Sequence, residues 1–334
     1  MNIYDIAKLA GVSIATVSRV VNDSDKVTEK TRQKVLSVME ELDYTPNVFA
    51  RGLGLDSMKT IGILCPNIAD VFMANAISIL EKKLHQYGYD CILGCSGYEK
   101  ENREKHVRLL LAKRIDALIL VGSTYAGRCD DKEETDYLRE TAAKIPVFLI
   151  NGFVEGDNIF CSYCDDFRAT YEVTKGYICE GRKRILFLCD SHSFSAKRKL
   201  AGYEAALSDA GYPICEELKF YTRNDIHCVR NELLARKSLD FDSVVATEDG
   251  LAIGVIKYAL AKGLTVPEEL SVTGYNNSQL SVGCEPELTS VENHLEQMCV
   301  DTIECMLKVL QGETEVVRKN EVRCEIIKRG TTGF

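Results

Sequence analysis

The sequence lacks the features that mark membrane proteins, secreted proteins and several classes of enzyme. No apolar run in its 334 residues approaches the roughly 18 residues that a transmembrane helix needs. The N-terminal segment Met1-Asn2-Ile3-Tyr4-Asp5 has neither the basic nor the apolar region of a secretory signal, so we expect a cytoplasmic protein. The chain also has no Gly-rich phosphate loop, no GxSxG motif and, among its five histidines, no evident nucleophile–base pair. From these absences we predict a protein that is not an enzyme.

The cysteines form neither a disulfide framework nor a metal-binding pattern. Fourteen are scattered through the chain, several in apolar runs, as at Cys65, Cys91, Cys95 and Cys189, and reduced thiols fit a cytoplasmic protein. Cys161 and Cys164 have CxxC spacing, but no second pair and no His cluster follows to complete a zinc site. We therefore expect no metal and no cofactor, and interpret the pair as small side chains where a strand ends.

Basic residues are concentrated at the N-terminus of an acidic chain. The formal charge is −9, whereas residues 1–38 carry six basic and four acidic side chains, which leaves −11 for the remainder. A mildly basic head on an acidic body is typical of DNA binding that is confined to one end.

Residues 1–46 predict three short helices. The first runs from Tyr4 to Ala10 and ends at Gly11, which can adopt the left-handed conformation. Ser13 is an N-cap for the second helix, Ile14–Val21, and Thr28 for the third, which continues to about Leu42. Two helices joined by a Gly-containing turn are typical of a helix-turn-helix, whose second helix enters the major groove. A three-helix unit without a DNA role is the alternative.

The outward face of the second helix favours the DNA-binding interpretation. It presents short donors and acceptors for phosphates and one arginine able to bind guanine through two hydrogen bonds. These residues are Ser13, Thr16, Ser18, Arg19 and Asn22.

Residues 3–13 (IYDIAKLAGVS) and 15–22 (ATVSRVVN) resemble the head of the lactose-repressor (LacI/GalR) family. The similarity continues through 27–28 (VT), 31–32 (TR) and 42–47 (LDYTPN) to 329–331 (RGT), and so covers essentially the whole chain. It implies an N-terminal all-α helix-turn-helix head (1–46), a hinge helix and linker (47–59), and an α/β body (60–334) that binds a ligand and dimerises. The body would consist of two doubly wound lobes like those of periplasmic binding proteins.

The resemblance also implies which residues contact DNA. Ile14, Ala15 and Arg19 would read base edges, and because Ile14 and Ala15 are apolar, Arg19 would provide the hydrogen-bonded readout. Lys26, in the turn after the second helix, is included among the DNA-binding residues. The residues that would contact the DNA backbone are Ser13, Thr16, Ser18, Asn22, Thr31, Tyr44 and Asn47.

The segment 47–59 is expected to fold only when DNA templates it. A helix this short is unstable alone in water, and Gly52 and Gly54 each weaken it by about 1 kcal/mol relative to Ala. In the family, two hinge helices from a dimer pair in the minor groove, where a leucine wedges between bases. Leu53 occupies that position, with Ala50 beside it. Gly54 departs from the family's usual helix former, and a plain flexible linker is the alternative.

From Thr60 onwards, apolar strands alternate with amphipathic helices, which predicts parallel sheets with helices on both faces. The helix Ala74–Tyr87 ends at Gly88, and a second α/β series begins near Ile159. By resemblance, the chain crosses between lobes near Cys161, Val291 and Asn320, so that lobe 1 is about 60–160 plus 292–320 and lobe 2 about 161–291 plus 321–330. The predicted strands are Ile61–Cys65, Asp90–Leu93, Ala117–Val121, Val147–Ile150, Ile185–Cys189, Ser243–Ala246 and Val272–Tyr275.

Ligands in doubly wound folds lie beyond the carboxyl ends of the strands. The effector-binding candidates at such ends are Asp70, Phe72, Asn151, Lys199, Glu248 and Asn276, with Asp249 beside them. Asp249 could instead cap a helix, Phe72 could belong to the core and Asn276 could shape a turn.

The candidate residues also depart from the family pattern. Sugar-binding members commonly have an arginine in place of Lys199 and acids in place of Asn151 and Asn276. We therefore expect a small polar metabolite other than a simple sugar, or a vestigial pocket.

The predicted function is sequence-specific transcriptional regulation, with operator affinity set by a small-molecule effector between the lobes, and the resemblance implies repression. We expect a homodimer on palindromic double-stranded DNA; because the chain stops at Phe334 without a heptad tail, a tethered tetramer is disfavoured. The alternatives are an enzyme or a cytoplasmic small-molecule-binding protein with a non-functional head, and an exported binding protein.

Overall fold

The computed structural model describes residues 2–21, 24–44, 57–127, 132–236 and 238–334. They form two compact units, Met1–Thr60 and Ile61–Phe334. Four of the predicted DNA-binding residues, Asn22, Asn47, Ala50 and Leu53, lie outside the described residues.

Three helices make up the head: α1 (Ile3–Leu9), α2 (Ile14–Val21) and α3 (Glu29–Glu41). Asn2 caps α1 through a capping box, in which its side chain accepts from Tyr4 N and Asp5 N while the Asp5 carboxylate accepts from Asn2 N. Gly11 ends the first helical segment with φ of +60°, as its sequence position predicts. The three helices enclose a small core whose fully buried members are Ile6, Ala10, Val17 and Val35.

The two predicted N-caps of α2 and α3 differ. Ser13 Oγ accepts from Thr16 N at 3.2 Å, so it caps α2 as predicted. Thr28 stands at the N-cap position of α3, but its side chain forms no capping hydrogen bond. Its hydroxyl pairs instead with Thr31 Oγ1 at 3.0 Å, so the predicted side-chain cap is wrong.

The first sheet of the body has the strand order β11-β5-β4-β3-β1-β2. Its strands are β1 (Thr60–Cys65), β2 (Asp90–Cys95), β3 (Ala117–Val121), β4 (Val147–Ile150), β5 (Ile159–Cys164) and β11 (Lys319–Val322). Apolar side chains of α4 (Val71–Gln86) and α12 (Leu295–Leu310) pack on one face. Those of α5 (Lys100–Ala112) and α6 (Asp136–Ala142) pack on the other. Its four central strands, β1, β3, β4 and β5, are therefore buried throughout, whereas the edge strands β2 and β11 are partly exposed.

The second sheet has the order β12-β10-β9-β8-β6-β7. It departs from the predicted parallel sheet at one edge, where β12 pairs with β10 in antiparallel orientation. Its strands are β6 (Ile185–Cys189), β7 (Lys219–Tyr221), β8 (Ser243–Ala246), β9 (Ser271–Tyr275), β10 (Thr289–Glu292) and β12 (Glu325–Ile327). Its helices are α7 (Asp166–Cys179), α8 (Phe194–Asp209), α9 (Ile226–Ala235), α10 (Asp249–Lys262) and α11 (Gln279–Val282). The α7–α8 pair and the α9–α10 pair pack on opposite faces.

The polypeptide crosses between the sheets three times. It leaves the first sheet after β5, returns between β10 and α12, and leaves again between β11 and β12. The three connections lie together, because Asp165, His294 and Arg323 all border one cavity.

Two expected crossing points require correction. Crossings near Cys161 and Asn320 would divide β5 and β11, and a second series beginning near Ile159 would assign β5 to the other lobe. Both strands instead lie whole in the first sheet, because they pair with each other in parallel from Lys319↔Cys161 to Val322↔Cys164. The remaining crossing, expected near Val291, consists of residues 293–294, directly after β10.

No helix in the described ranges combines the length and apolarity that a membrane crossing requires.

Candidate functional site

The outer surface of α2 is available for contact with another molecule. Val17 and Val20 are buried in the head core, whereas Ala15 and Arg19 are exposed and Ile14 is 41% exposed. With the described residues, the Arg19 side chain forms no hydrogen bond and no ion pair. This face therefore combines apolar groups with a guanidinium that no described residue engages.

Polar side chains border this face at the start of α2 and on α3. Ser13 Oγ and Thr16 Oγ1 lie 2.9 Å apart at the N-terminus of α2. Ser18 and Thr31 are half-buried and Lys26 is exposed. Tyr44 is half-buried against the head core, and its backbone N donates to Met39 O at 2.9 Å. The described members of the predicted DNA-binding set thus lie on or beside α2, except Thr31 on α3 and Tyr44 just after it.

A cleft between the two sheets contains all six predicted effector-binding residues. Its larger chamber, of about 600 Å³, is lined by Asp70, Phe72, Glu248 and Asn276, among others. A smaller adjoining chamber, of about 70 Å³, shares Asp70, Phe72 and Glu248 and adds Asn151 and Lys199. The first lobe supplies Asp70, Phe72 and Asn151, and the second supplies the other three.

The two residues at the start of α4 have structural roles as well as cleft positions. Asp70 Oδ1 accepts from Met73 N at 3.1 Å and so caps α4, and burial raises the pKa of its carboxyl. Phe72 is 8% exposed and packs in the core of the first lobe. Phe72 is therefore both a core residue and part of the cleft wall.

Lys199 is committed to contacts within the second lobe. It is 3% exposed, Nζ donates to Thr247 O at 3.0 Å, and Nζ lies 3.5 Å from the ring centroid of Tyr275. Burial by itself opposes its charge, but the carboxylates of Asp166 and Glu248 outweigh burial, so the pKa of Lys199 is raised. The main role of Lys199 is therefore to balance the charges of Asp166 and Glu248 inside the protein.

Asn276 is held by hydrogen bonds at both ends of its amide. Its Nδ2 donates to Glu248 Oε2 in a short hydrogen bond, and its Oδ1 accepts from Asn293 Nδ2 at 2.7 Å. Its φ of +87° also makes it a turn residue after β9, as the alternative interpretation predicts. Asn151, after β4, has φ of +65° and accepts from Cys164 Sγ at 3.7 Å. These amides are therefore oriented by fixed neighbours.

Asp249 has a structural role, but it is not the helix cap that the alternative interpretation predicts, because Glu248 stands at the N-cap of α10. It is 2% exposed, and its Oδ2 accepts from Ser278 N at 2.7 Å and from Ser278 Oγ at 2.8 Å. Its Oδ1 accepts from Ser290 Oγ at 2.6 Å. The carboxylate thus fixes the loop after β9.

The cleft contains further polar residues that the sequence analysis missed. Asp190 follows β6 and Arg223 follows β7, and both line the larger chamber. The strand-end rule would have found Asp190, because β6 is predicted to end at Cys189. Ser123 and Ser193, in the smaller chamber, approach from opposite lobes, and Ser123 Oγ donates to Ser193 Oγ at 2.8 Å.

Acidic groups dominate the electrostatics of the cleft. Burial raises the pKa of Glu248 well above its ordinary value, and the charges of Asp190 and Asp70 raise it further, although Lys199 acts in the opposite direction. A ligand that donates hydrogen bonds would relieve this concentration of acceptors.

The two thiols of the CxxC pair, Cys161 and Cys164, cannot coordinate the same metal ion. Residues three apart in a strand point to opposite faces. Cys161 accordingly packs in the core on the α5–α6 face of the first sheet and Cys164 in the core on the α4–α12 face. Burial raises the pKa of the Cys161 thiol to about 11, which fits an unreactive core side chain.

The two units match two family models. Residues 2–47 match the model of bacterial regulatory proteins of the lacI family. Residues 58–330 match the model of periplasmic binding proteins and the sugar binding domain of the LacI family.

Relatives align over nearly the whole chain. An HTH-type transcriptional regulator of Lachnoclostridium phytofermentans is 47% identical over 100% of both chains. The HTH-type transcriptional regulator DegA of Bacillus subtilis is 30% identical over 99% of this chain and 97% of its own. The fold is also that of the Lac repressor dimer bound to operator and the anti-inducer ONPF, with a TM-score of 0.86, 24% identity and 99% of each chain covered.

Proposed function

The chain belongs to the lacI family of bacterial regulatory proteins, and we propose that it regulates transcription by binding a palindromic operator with an affinity that a small molecule in the cleft modulates. The observation that carries this proposal is the outer face of α2, where the Arg19 guanidinium, which no described residue engages, lies on the same helix as the exposed side chains of Ile14 and Ala15. We assign the head to residues 1–46, the hinge to 47–59 and the body to 60–334, with lobe 1 extended to Cys164. We place the protein with its DNA in the cytoplasm.

In the proposed DNA complex, α2 lies in the major groove. Arg19 donates to the edge of a guanine, and Ile14 and Ala15 contact thymine methyl groups. Ser13 and Thr16, at the N-terminus of α2, contact phosphates, where the helix dipole favours a negative charge. Ser18, Lys26, Thr31 and Tyr44 extend the backbone contacts, and the remaining assignments, Asn22, Asn47, Ala50 and Leu53, come from the family pattern alone.

The proposed effector is a small polar metabolite that donates hydrogen bonds. Carboxyls from both lobes, Asp70 and Glu248, face the same space, and the amides of Asn151 and Asn276 lie at its walls. Lys199 is engaged internally, so it contributes charge balance more than a direct contact. Two further relatives are catabolite control protein A of Priestia megaterium, 31% identical over 94% of each chain, and the HTH-type transcriptional regulator GalR of Escherichia coli, 31% identical over 91% of this chain and 88% of its own.

The proposed coupling runs through the orientation of the lobes. Ligand contacts with both walls favour the closed cleft, which moves the first lobes of a homodimer relative to each other and so changes how readily the hinge segments fold on DNA. Such coupling requires only that the ligand bind the open and closed states with different affinities.

The test is a mobility-shift experiment with the full chain and fragments of the source genome. We expect retention of particular fragments in an excess of unrelated duplex, and a palindrome in the fragments retained. Equal retention of all fragments at fixed salt would refute sequence-specific binding. That result, together with ligand-induced thermal stabilisation, would favour the alternative of a small-molecule-binding protein.

A further inference from the structure

Two cysteines lie side by side at one end of the first sheet. Cys65 is the last residue of β1 and Cys95 is the last residue of β2. Their Sγ atoms are 3.9 Å apart, and Ser96 N donates to Cys65 O at 2.9 Å, which fixes the two strand ends against each other. The two sulfurs are therefore within about 2 Å of the length of an S–S bond.

The two thiols differ in their access to solvent. Cys95 is exposed, whereas Cys65 is fully buried. Burial, with a smaller contribution from neighbouring Cys95, raises the pKa of the Cys65 thiol to about 12. A solvent-accessible thiol in contact with a second thiol is the arrangement in which the first reacts with an oxidant and the second resolves the product.

We propose that Cys65 and Cys95 are a redox modification site that a hydroperoxide converts to a reversible disulfide. The Cys95 thiolate attacks one peroxide oxygen, the O–O bond breaks, and Cys95 becomes a sulfenic acid while the peroxide is reduced to water or an alcohol. The Cys65 sulfur then attacks the Cys95 sulfur and forms the S–S bond. The sulfenic hydroxyl leaves with the Cys65 proton as water, so two thiols are oxidised by two electrons in total.

The disulfide would form directly beneath the rim of the cleft. Gly97 N donates to Pro66 O at 3.0 Å, one residue beyond the Ser96–Cys65 contact, and Tyr98 and Asp70 then line the larger chamber. Ser96 Oγ is also hydrogen-bonded to Tyr125 OH at 2.7 Å. Linking β1 to β2 would restrain both rim segments. Any effect on DNA binding rests on the proposed function, whereas formation of the disulfide does not.

The test is peptide mapping of the full chain after treatment with hydrogen peroxide and alkylation of the remaining thiols. Trypsin releases Cys65 within residues 60–82 and Cys95 within residues 84–100. We expect a crosslinked pair of these peptides, about 2 Da lighter than their sum, that disappears on reduction with dithiothreitol. Because residues 84–100 also contain Cys91, the same mapping is done on Cys91→Ser, in which the crosslink should persist.

Cys95→Ser is the decisive variant, since its exposed position tolerates a hydroxyl, and it should abolish the crosslink. Cys65→Ala should leave Cys95 as a sulfenic acid that dimedone labels.

A second pair of thiols in contact, Cys164 and Cys324, provides the competing outcome. The proposal is overturned if peroxide links Cys164 to Cys324 and leaves Cys65 free, or if Cys95 oxidises irreversibly without a crosslink. Failure of operator binding in every sample would count against the regulatory function and leave the mapped disulfide in place.

Discussion

Ser123 and Ser193 join the two walls of the cleft through one hydrogen bond of 2.8 Å. Ser123 follows β3 in the first lobe, and Ser193 is the N-cap of α8 in the second, where its hydroxyl also accepts from Ala196 N at 3.4 Å. The Ser193 side chain thus caps the start of α8 and also connects the two lobes. Its hydrogen bond with Ser123 is shorter than its capping hydrogen bond with Ala196 N.

Ser123→Ala should loosen the cleft without unfolding either lobe. One hydrogen bond of this kind contributes about 0.5–1.5 kcal/mol, so the open state should gain about two- to tenfold in population. Hydrogen exchange followed by mass spectrometry should show faster exchange at the start of α8. Ser208→Ala, at the exposed end of the same helix, is the control and should leave that exchange unchanged. Identical protection in Ser123→Ala and the parent chain would contradict a bridging role.

Arg19→Ala should reduce the discrimination between operator and random DNA by about 1–3 kcal/mol, because the variant loses the hydrogen-bonded contact to a base. The measurement is the ratio of the two dissociation constants at one salt concentration. Lys30→Ala removes the same charge from an exposed position on α3 and should weaken both affinities alike. An unchanged ratio in Arg19→Ala would refute its assignment as the base-reading residue.

The caps of the head permit a matched pair of substitutions. Asn2→Ala removes a side chain that accepts two backbone hydrogen bonds, so α1 should lose about 1 kcal/mol of stability. Thr28→Ala removes a side chain at the equivalent position of α3 that caps no backbone group, and the loss should be a few tenths of a kcal/mol. Amide exchange of α1 and α3 in the full chain measures both. Equal losses of helix stability in Asn2→Ala and Thr28→Ala would contradict this prediction, because the capping hydrogen bonds would then make no difference.

Glu248→Gln should stabilise the body near neutral pH. Folding raises the pKa of Glu248 above its ordinary 4.5. The contribution of Glu248 to the free energy of unfolding is therefore fully present below pH 4.5 and is lost as the pH rises through the raised pKa. Glutamine cannot ionise, so the variant avoids the cost of a buried charge but also gives up the attraction to Lys199. Its unfolding free energy should therefore exceed that of the parent chain by more at pH 8 than at pH 5. Urea unfolding at pH 5 and pH 8 tests this, with the exposed Glu140→Gln as control. Equal pH dependence of Glu248→Gln and the parent chain would contradict it.

Local chemistry made the head predictable. The bounds of α2 agree with the prediction because Gly11 and Ser13 mark its start, while Val17 and Val20 identify the face toward the core. The prediction that the Thr28 side chain caps α3 was wrong, because its hydroxyl bonds to Thr31 Oγ1 instead of a backbone N. Which of these partners it takes depends on side-chain geometry.

The lobe boundaries depended on contacts between distant parts of the chain. Pairing of β5 with β11 joins residues more than 150 positions apart, and no local pattern encodes that register. The strand β7 is only three residues long, too short to show a periodicity, so Arg223 behind it was missed. In contrast, the six predicted effector residues share one cleft because the strand-end rule needs only the order of strands and loops.

The three connections that border one cavity have a mechanical consequence. Two bodies joined by three neighbouring segments can bend across them, but relative twisting would stretch at least one segment. Molecules of different size would then produce different extents of a single bending movement. We therefore expect that different effectors have graded effects, and that each compound can be ranked by the angle that it imposes between the lobes.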